Sequence, residues 1–218
     1  MRICTTPKPN NVMTSSKQTI LESIRSHTTE QFACPDLTAL EASAVSYPDP
    51  VAQFKASLAA AGGRAIELAP GQSVGQLVAN LYPQATRVAN TVANLSGAEA
   101  LPGQPFNPDT VEQPGQLNGT DVAIIASGLG VAENACCWIA DTVRHRAIYF
   151  IAEALVIVLS KHHIVSNMHQ AYHQLPNPTA APFGCFISGP SKTADIEQAL
   201  VFGAHGAREV TVIITDAR

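Results

Sequence analysis

The segment Val210-Thr-Val-Ile-Ile-Thr215 carries a β-branched residue at every position. Such a run suits a strand covered on both faces, because branched side chains pack well on a pleated surface and no polar face alternates with the apolar one. Asp121-Val-Ala-Ile-Ile-Ala126 and residues 155–160 have the same character. Strands hidden on both faces belong to mostly parallel sheets wrapped by helices, and helical stretches lie between them. Asp49 to Ala61 opens with Asp-Pro, places Val51, Phe54 and Leu58 on one face and stops at Gly62-Gly63. Ser73 to Tyr82 repeats the pattern with Val74, Leu77, Val78 and Leu81. Further helices are expected at 17–27 and 164–175, and short strands at 65–68, 86–89 and 147–152. Residues 36–48 read as irregular and 97–119 as a loop rich in Pro, Gly, Asn and Gln. The expectation is one α/β domain, a mostly parallel sheet flanked by helices, over residues 17–218, with an N-terminal helical extension and a disordered tail at 1–16.

Charge and cysteine content narrow the function classes. A net charge of -4 with 14% charged residues offers no basic footprint for nucleic acid or an anionic membrane. The apolar run 147–159 is interrupted by Glu153 and is short of the ~20 residues that cross a bilayer. Met1 to Lys17 lacks the apolar stretch of a secretory signal, and the five scattered cysteines form no C-x-x-C pair, so a reducing cytoplasmic setting is expected. Cys136 and Cys137 read as buried packing residues, and neither a metal nor a resident cofactor is expected.

Residues 183–216 read as a strand, loop, helix, strand unit. Phe183 to Ser188 looks like a buried strand, Gly189-Pro190-Ser191-Lys192-Thr193 breaks it, and a helix from Ala194 carries Ile196, Ala199, Leu200 and Phe202 toward a sheet before Gly203. Parallel sheets bind ligands beyond the carboxyl ends of their strands, where helix N-termini present free N–H groups. Gly189, Ser191, Lys192, Thr193 and Asp195 are therefore candidate residues for a carboxylate or phosphate site, with Asp195 and Glu197 complementing the helix dipole; an ordinary capped helix is the competing reading. His205 is expected on the opposite sheet edge, because it precedes a strand.

A second candidate segment, Ser127-Gly-Leu-Gly-Val-Ala-Glu-Asn134, leaves the carboxyl end of the 121–126 strand. Gly128, Gly130, Glu133 and Asn134 could then face the same pocket as Gly189 to Thr193. A dinucleotide fingerprint is disfavoured, since Glu133 stands where the third glycine should. Glu133 could act as general base, as a substrate-positioning acceptor, or as a structural carboxylate binding backbone N–H groups. His169 and His173 share a helix face but lack a third ligand.

Ser188-Gly-Pro-Ser-Lys-Thr-Ala-Asp-Ile-Glu197, Gly203-Ala-His-Gly-Ala-Arg-Glu209 and Val131-Ala-Glu-Asn134 together resemble the lactate utilization protein C family, also called LUD domain proteins. Lys192 stands where that family usually has Arg, and Ala207 where it has Pro. The resemblance implies the isomerase/CoA-transferase-like fold. It also implies a place in cytoplasmic L-lactate oxidation to pyruvate beside partner proteins that carry iron-sulfur clusters. In the CoA transferases a Glu is the nucleophile, which makes Glu133 the candidate catalytic residue by analogy. Two alternatives stay open: a stand-alone enzyme on a sugar phosphate or acyl-CoA, and a non-catalytic assembly subunit. Homo-oligomerisation is open as well.

Overall fold

The computed structural model describes residues 15–28, 30, 33, 35–36, 38–140, 142–175, 183–193 and 201–217. The chain divides into two compact units, residues 1–42 and 43–218. In the first, α1 (Ser16–His27) opens on a reciprocal capping box: Gln18 N–H donates to Ser15 Oγ at 3.3 Å and Ser15 N–H donates to Gln18 Oε1 at 3.1 Å. Apart from Ser15 and Ser16, the expected tail lies outside the described residues. At the boundary, α2 (Thr38–Ser43) forms within a stretch expected to be irregular.

The second unit contains, in chain order, α3 (Pro50–Ala60), β1 (Arg64–Glu67), α4 (Val74–Leu81), β2 (Arg87–Asn90), β3 (Gln104–Phe106), β4 (Val122–Ser127), β5 (Leu129–Val131) and β6 (Cys136–Ala140). After these come α5 (Ile148–Ile151), β7 (Ala154–Ser160), β8 (Ile164–Val165), α6 (Met168–Gln174), β9 (Gly184–Ile187), β10 (Lys192–Thr193), β11 (Val201–Phe202) and β12 (Glu209–Thr215). Six strands form one wholly parallel sheet in the order β1-β12-β7-β4-β2-β3. The three β-branched runs are its middle: β12 pairs with β7 through seven residues, and β7 with β4 through six.

Both sheet faces are covered, as those runs require. Val122 and Ile124 of β4, Val156 of β7 and Ile213 of β12 pack with Val74, Leu77 and Val78 of α4. The alternate residues Ile125, Leu155, Ile157, Val212 and Ile214 face the opposite layer, made of α3, α5 and a second sheet. Phe54 and Leu58 of α3 are fully buried there, each worth about 1.5–3 kcal/mol of transfer free energy. Asp49 caps α3, accepting the Ala52 N–H at 3.0 Å, and Ser73 with Gln76 forms a capping box on α4. Thr211, the polar residue inside β12, is buried and satisfied by Arg64 Nε at 3.2 Å and Tyr82 Oη at 3.0 Å.

The second sheet has the order β8-β5-β6-β9, with β9 antiparallel to β6. Its inner side adds Cys137 and Ile139 to the main core, and its outer side packs Leu129, Val131, Trp138 and Phe186 against α6. This corrects the expected βαβ unit, because β9 is not a parallel neighbour of β12 and its residues are only half-buried. Residues 147–152, expected as a strand, hold the single turn α5; a short wholly apolar run fits a buried turn as well as a strand. Thr193, Val201 and Phe202 lie in the two-stranded pair β10–β11 rather than at the ends of a helix. The expected helix over 194–200, with Asp195 and Glu197, lies outside the described residues.

Candidate functional site

Gly128 to Asn134 leaves the carboxyl end of β4, as expected, but as a strand and a turn rather than an open loop. Its first half is β5, where Gly130 is needed for packing: a Cβ there would stand 2.6 Å from Leu159 Cδ2 and 3.3 Å from Ile164 Cγ1. Its second half is a tight turn with Ala135 at φ 55°, closed by the Cys136 N–H donating to Asn134 Oδ1 at 3.1 Å. Glu133 is half-buried, and its Oε1 accepts the Met168 N–H at 2.9 Å, at the first residue of α6. The Glu133 N–H donates to the Ser166 carbonyl, and Ser57 Oγ donates to the Ala132 carbonyl at 2.7 Å. In this geometry the Glu133 carboxylate ties the turn to α6, which is the structural option among the expectations for it.

The Gly189 turn follows β9. Gly189 has φ +66°, and a Cβ would fall 3.0 Å from both Cβ and O of Ala61, so glycine serves both the turn and the close approach to the end of α3. Ser191 N–H donates to the Ala207 carbonyl at 2.9 Å and Gly203 N–H donates to the Ser191 carbonyl at 3.0 Å, which ties this turn to the Gly203-Ala-His-Gly206 loop. Between them lies a cavity of about 280 Å³, with Ser188, Gly189, Ser191, His205 and Gly206 on its polar side. Tyr149, Phe150, Leu155, Phe186 and Val210 supply apolar walls.

His205 therefore shares a cavity with Gly189 and Ser191, contrary to the expectation that it lies on the opposite edge. The antiparallel run of β9 is the cause: it brings the chain to Leu155 and Val210, at the amino ends of β7 and β12. The site is thus at the amino edge of the six-stranded sheet. The two candidate segments do meet, through Ser188 Oγ donating to the Asn134 carbonyl at 2.6 Å, but Gly128, Gly130 and Glu133 do not line the cavity. Lys192 is turned elsewhere: a Cβ on Gly62 would sit 3.1 Å from its Cε and Nζ. That places the ammonium by the carboxyl end of α3, whose partial negative charge complements it. Tyr149, Phe150 and Phe186 were missed by sequence reasoning; the only signal was the apolar run around them.

His169 and His173 are exposed on α6, and among the described residues no group of His, Cys, Asp and Glu is placed to hold a metal. Burial pushes the Cys137, Cys136 and Cys185 thiols up from their ordinary range, with the Glu133 charge adding to the effect at Cys136. Cys137 is fully buried, whereas Cys136 is only half-buried, which corrects the expectation for that residue. No helix among the described residues is long and apolar enough to cross a membrane.

Comparison with known proteins is consistent with this architecture. A crystal structure of a DUF162 family protein from Deinococcus radiodurans superposes with a TM-score of 0.55 at 14% identity, covering 79% of this chain and 99% of that one, and so shares the fold. Lactate utilization protein C of Oceanobacillus iheyensis is 33% identical over 102 residues, 44% of each chain. The protein of that name from Anoxybacillus flavithermus is 35% identical over 101 residues, 46% of this chain and 43% of its own. That from Shouchella clausii is 31% identical over 116 residues, half of each. The chain thus spans about half the length of the curated relatives it matches. The LUD domain matches residues 107–215, which contain β4 to β12 and every residue of the cavity described above; with half of its length so matched, the chain belongs to the LUD domain family.

Proposed function

We propose that this chain serves the oxidation of lactate to pyruvate in the cytoplasm, holding the carboxylate of substrate or product in the cavity between the Gly189 turn and the His205 loop. The likeness to proteins named lactate utilization protein C, at 31–35% identity, is the observation that carries the reading. The cavity supports it: one polar side with the Ser191 hydroxyl and the His205 imidazole, and apolar walls suited to a short carbon chain. Oxidising lactate releases two electrons and two protons, and partner proteins with iron-sulfur clusters would receive the electrons. Glu133 as nucleophile or base has weaker support, because the Met168 N–H engages its carboxylate away from the cavity.

Calorimetric and thermal-shift titration of the purified chain with lactate, pyruvate, ribose 5-phosphate and CoA esters tests this. Lactate or pyruvate should bind, and Ser191→Ala or His205→Ala should weaken binding about ten- to hundredfold, as loss of a hydrogen bond to a charged group worth about 1.5–3 kcal/mol implies. Stabilisation by sugar phosphate or CoA ester alone would overturn the reading in favour of a stand-alone enzyme. A response to none of them would favour a non-catalytic assembly subunit.

A further inference from the structure

The six-stranded sheet has a second place where a ligand should sit, independent of the lactate reading. From β2 the chain moves outward to the edge strand β3, whereas from β4 it moves the other way, to β7. The neighbours β2 and β4 therefore form a topological switch point, and crevices outside the carboxyl ends of such strands are where open parallel sheets take ligands. A cavity of about 360 Å³ lies on the β3 side of this crevice, at the carboxyl ends of β2 and β3, distinct from the one at the amino edge. Its size falls in the lower part of the ~300–1,000 Å³ range of small-molecule sites.

The chemistry of the lining restricts the ligand. Val92, Ala98 and Leu101 provide the apolar part, as members or close neighbours of the α4-side core. Asn90, Thr91 and Asn107 provide the polar part, and among the described residues none that lines the cavity is ionisable. An anion would gain no counter-charge here, and a cation no carboxylate. The polar groups are held in place beforehand. Asn90 Oδ1 accepts the Val92 N–H at 2.9 Å, Thr91 Oγ1 donates to the Ile124 carbonyl at 3.1 Å, and Asn107 Oδ1 accepts the Asp109 N–H at 2.9 Å. With those bonds made, the Asn107 amide group retains its N–H donors and the Thr91 hydroxyl retains acceptor capacity. A donor and an acceptor over an apolar floor, with no charge, match a flat neutral ring bearing a cyclic amide edge. Pre-formed geometry of this kind lowers the ordering cost of binding.

We propose that this cavity at the carboxyl ends of β2 and β3 is a binding site for a neutral cyclic-amide heterocycle of nucleobase or nucleoside size. Saturation-transfer NMR of the full chain with uridine and inosine, with benzoate and uridine 5′-monophosphate as charged comparators, tests it. Uridine or inosine should bind in the millimolar range or better. Ala93→Trp, at an exposed lining position, should fill the mouth and weaken binding at least about tenfold. Asn107→Asp keeps the acceptor for Asp109 but removes the donors, and should weaken uridine to a similar degree; Ser191→Ala should leave it unchanged. Absence of uridine and inosine binding at roughly 10 mM would overturn the proposal. So would undiminished binding to both substituted chains, or uridine monophosphate binding about tenfold more tightly than uridine.

Discussion

Replacing Gly75 by alanine should destabilise the protein, although alanine is the better helix former. In the interior of a helix the exchange favours folding by about 0.5–1 kcal/mol through backbone entropy. Gly75, in the first turn of α4, has a specific opposing contact: a Cβ would stand 1.8 Å from the carbonyl oxygen of Gly97 and 2.5 Å from its carbon. Both obstacles are backbone, so the 96–98 turn must retreat by roughly 1 Å or more before ordinary contact distances return. Retreat strains the bonds that dock this turn on the helix, Gly75 N–H to the Ser96 carbonyl at 2.9 Å and Val74 N–H to Ser96 Oγ at 3.1 Å. Overpacking costs about 1–3 kcal/mol and each weakened hydrogen bond up to about 1 kcal/mol, so the clash outweighs the propensity gain. The expected net loss is about 1–3 kcal/mol, or a melting temperature lower by roughly 3–10 °C for a domain of this size. Urea titration followed by circular dichroism measures it. The control is Gly115→Ala, where a Cβ meets nothing within 4 Å and φ is not in the left-handed region. That exchange should be neutral or stabilise by about 0.4–1 kcal/mol. If Gly75→Ala were as stable as the parent, the close approach of α4 to the 96–98 turn would be refuted. Since Ala98 and Leu101 line the cavity at the ends of β2 and β3, the same substitution should also weaken uridine binding.

Asp121 Oδ2 accepts the Arg87 N–H at 2.9 Å, the Thr86 N–H at 2.7 Å and Thr86 Oγ1 at 2.8 Å, and these bonds, that of Arg87 first, hold its carboxyl below the usual carboxylate range. A folded-state pKa below the unfolded one contributes stability that is present above the unfolded value of about 3.9 and lost as pH falls through the folded value. Asp121→Ala should therefore cost about 1–3 kcal/mol at pH 7, and its gap to the parent should close in acid; a gap independent of pH would count against the assignment. Gly184→Ala would place a Cβ 2.1 Å from Trp138 Cη2, which must displace the ring of the only tryptophan in the chain. Its fluorescence should shift and stability fall by about 1–3 kcal/mol, and an unchanged spectrum would show that the two strands do not pack this way.

What could be read beforehand follows from how local each signal is. The central strands were legible because a run such as Val210–Thr215 fits few environments, and α3 and α4 because Asp49 and Ser73 announce their first turns. The second sheet was not. β5 and β6 are short, and the half-buried Gly184-Cys-Phe-Ile187 looks from sequence like one more buried strand. Its antiparallel register is set by Trp138 lying across Gly184 and by the cross-strand partners Cys137 and Ile187, contacts that no spacing reveals. That single reversal explains why Ser191 and His205 line one cavity although His205 was expected on the opposite edge. The alternatives for Glu133 could not be narrowed from sequence for a related reason: its partner, the Met168 N–H, is 35 residues away and belongs to a helix whose start was expected at residue 164.

The place of β12 also constrains how the protein can be made. It lies between β1 and β7, so the strand formed from residues 209–215 joins one formed from residues 64–67 to the rest of the sheet. During synthesis β1 has no partner until nearly all of the second unit has emerged, while β7, β4, β2 and β3 can already pair. The intermediate would expose the edge of β7, a strand rich in valine and leucine, over the time needed to translate more than forty residues, ~2–10 s at ordinary elongation rates. Non-local pairing of this kind makes folding slow, and an open apolar edge invites association with other nascent chains. The same run of β-branched residues that closes the sheet is thus among the last parts of the second unit to become available for pairing during synthesis.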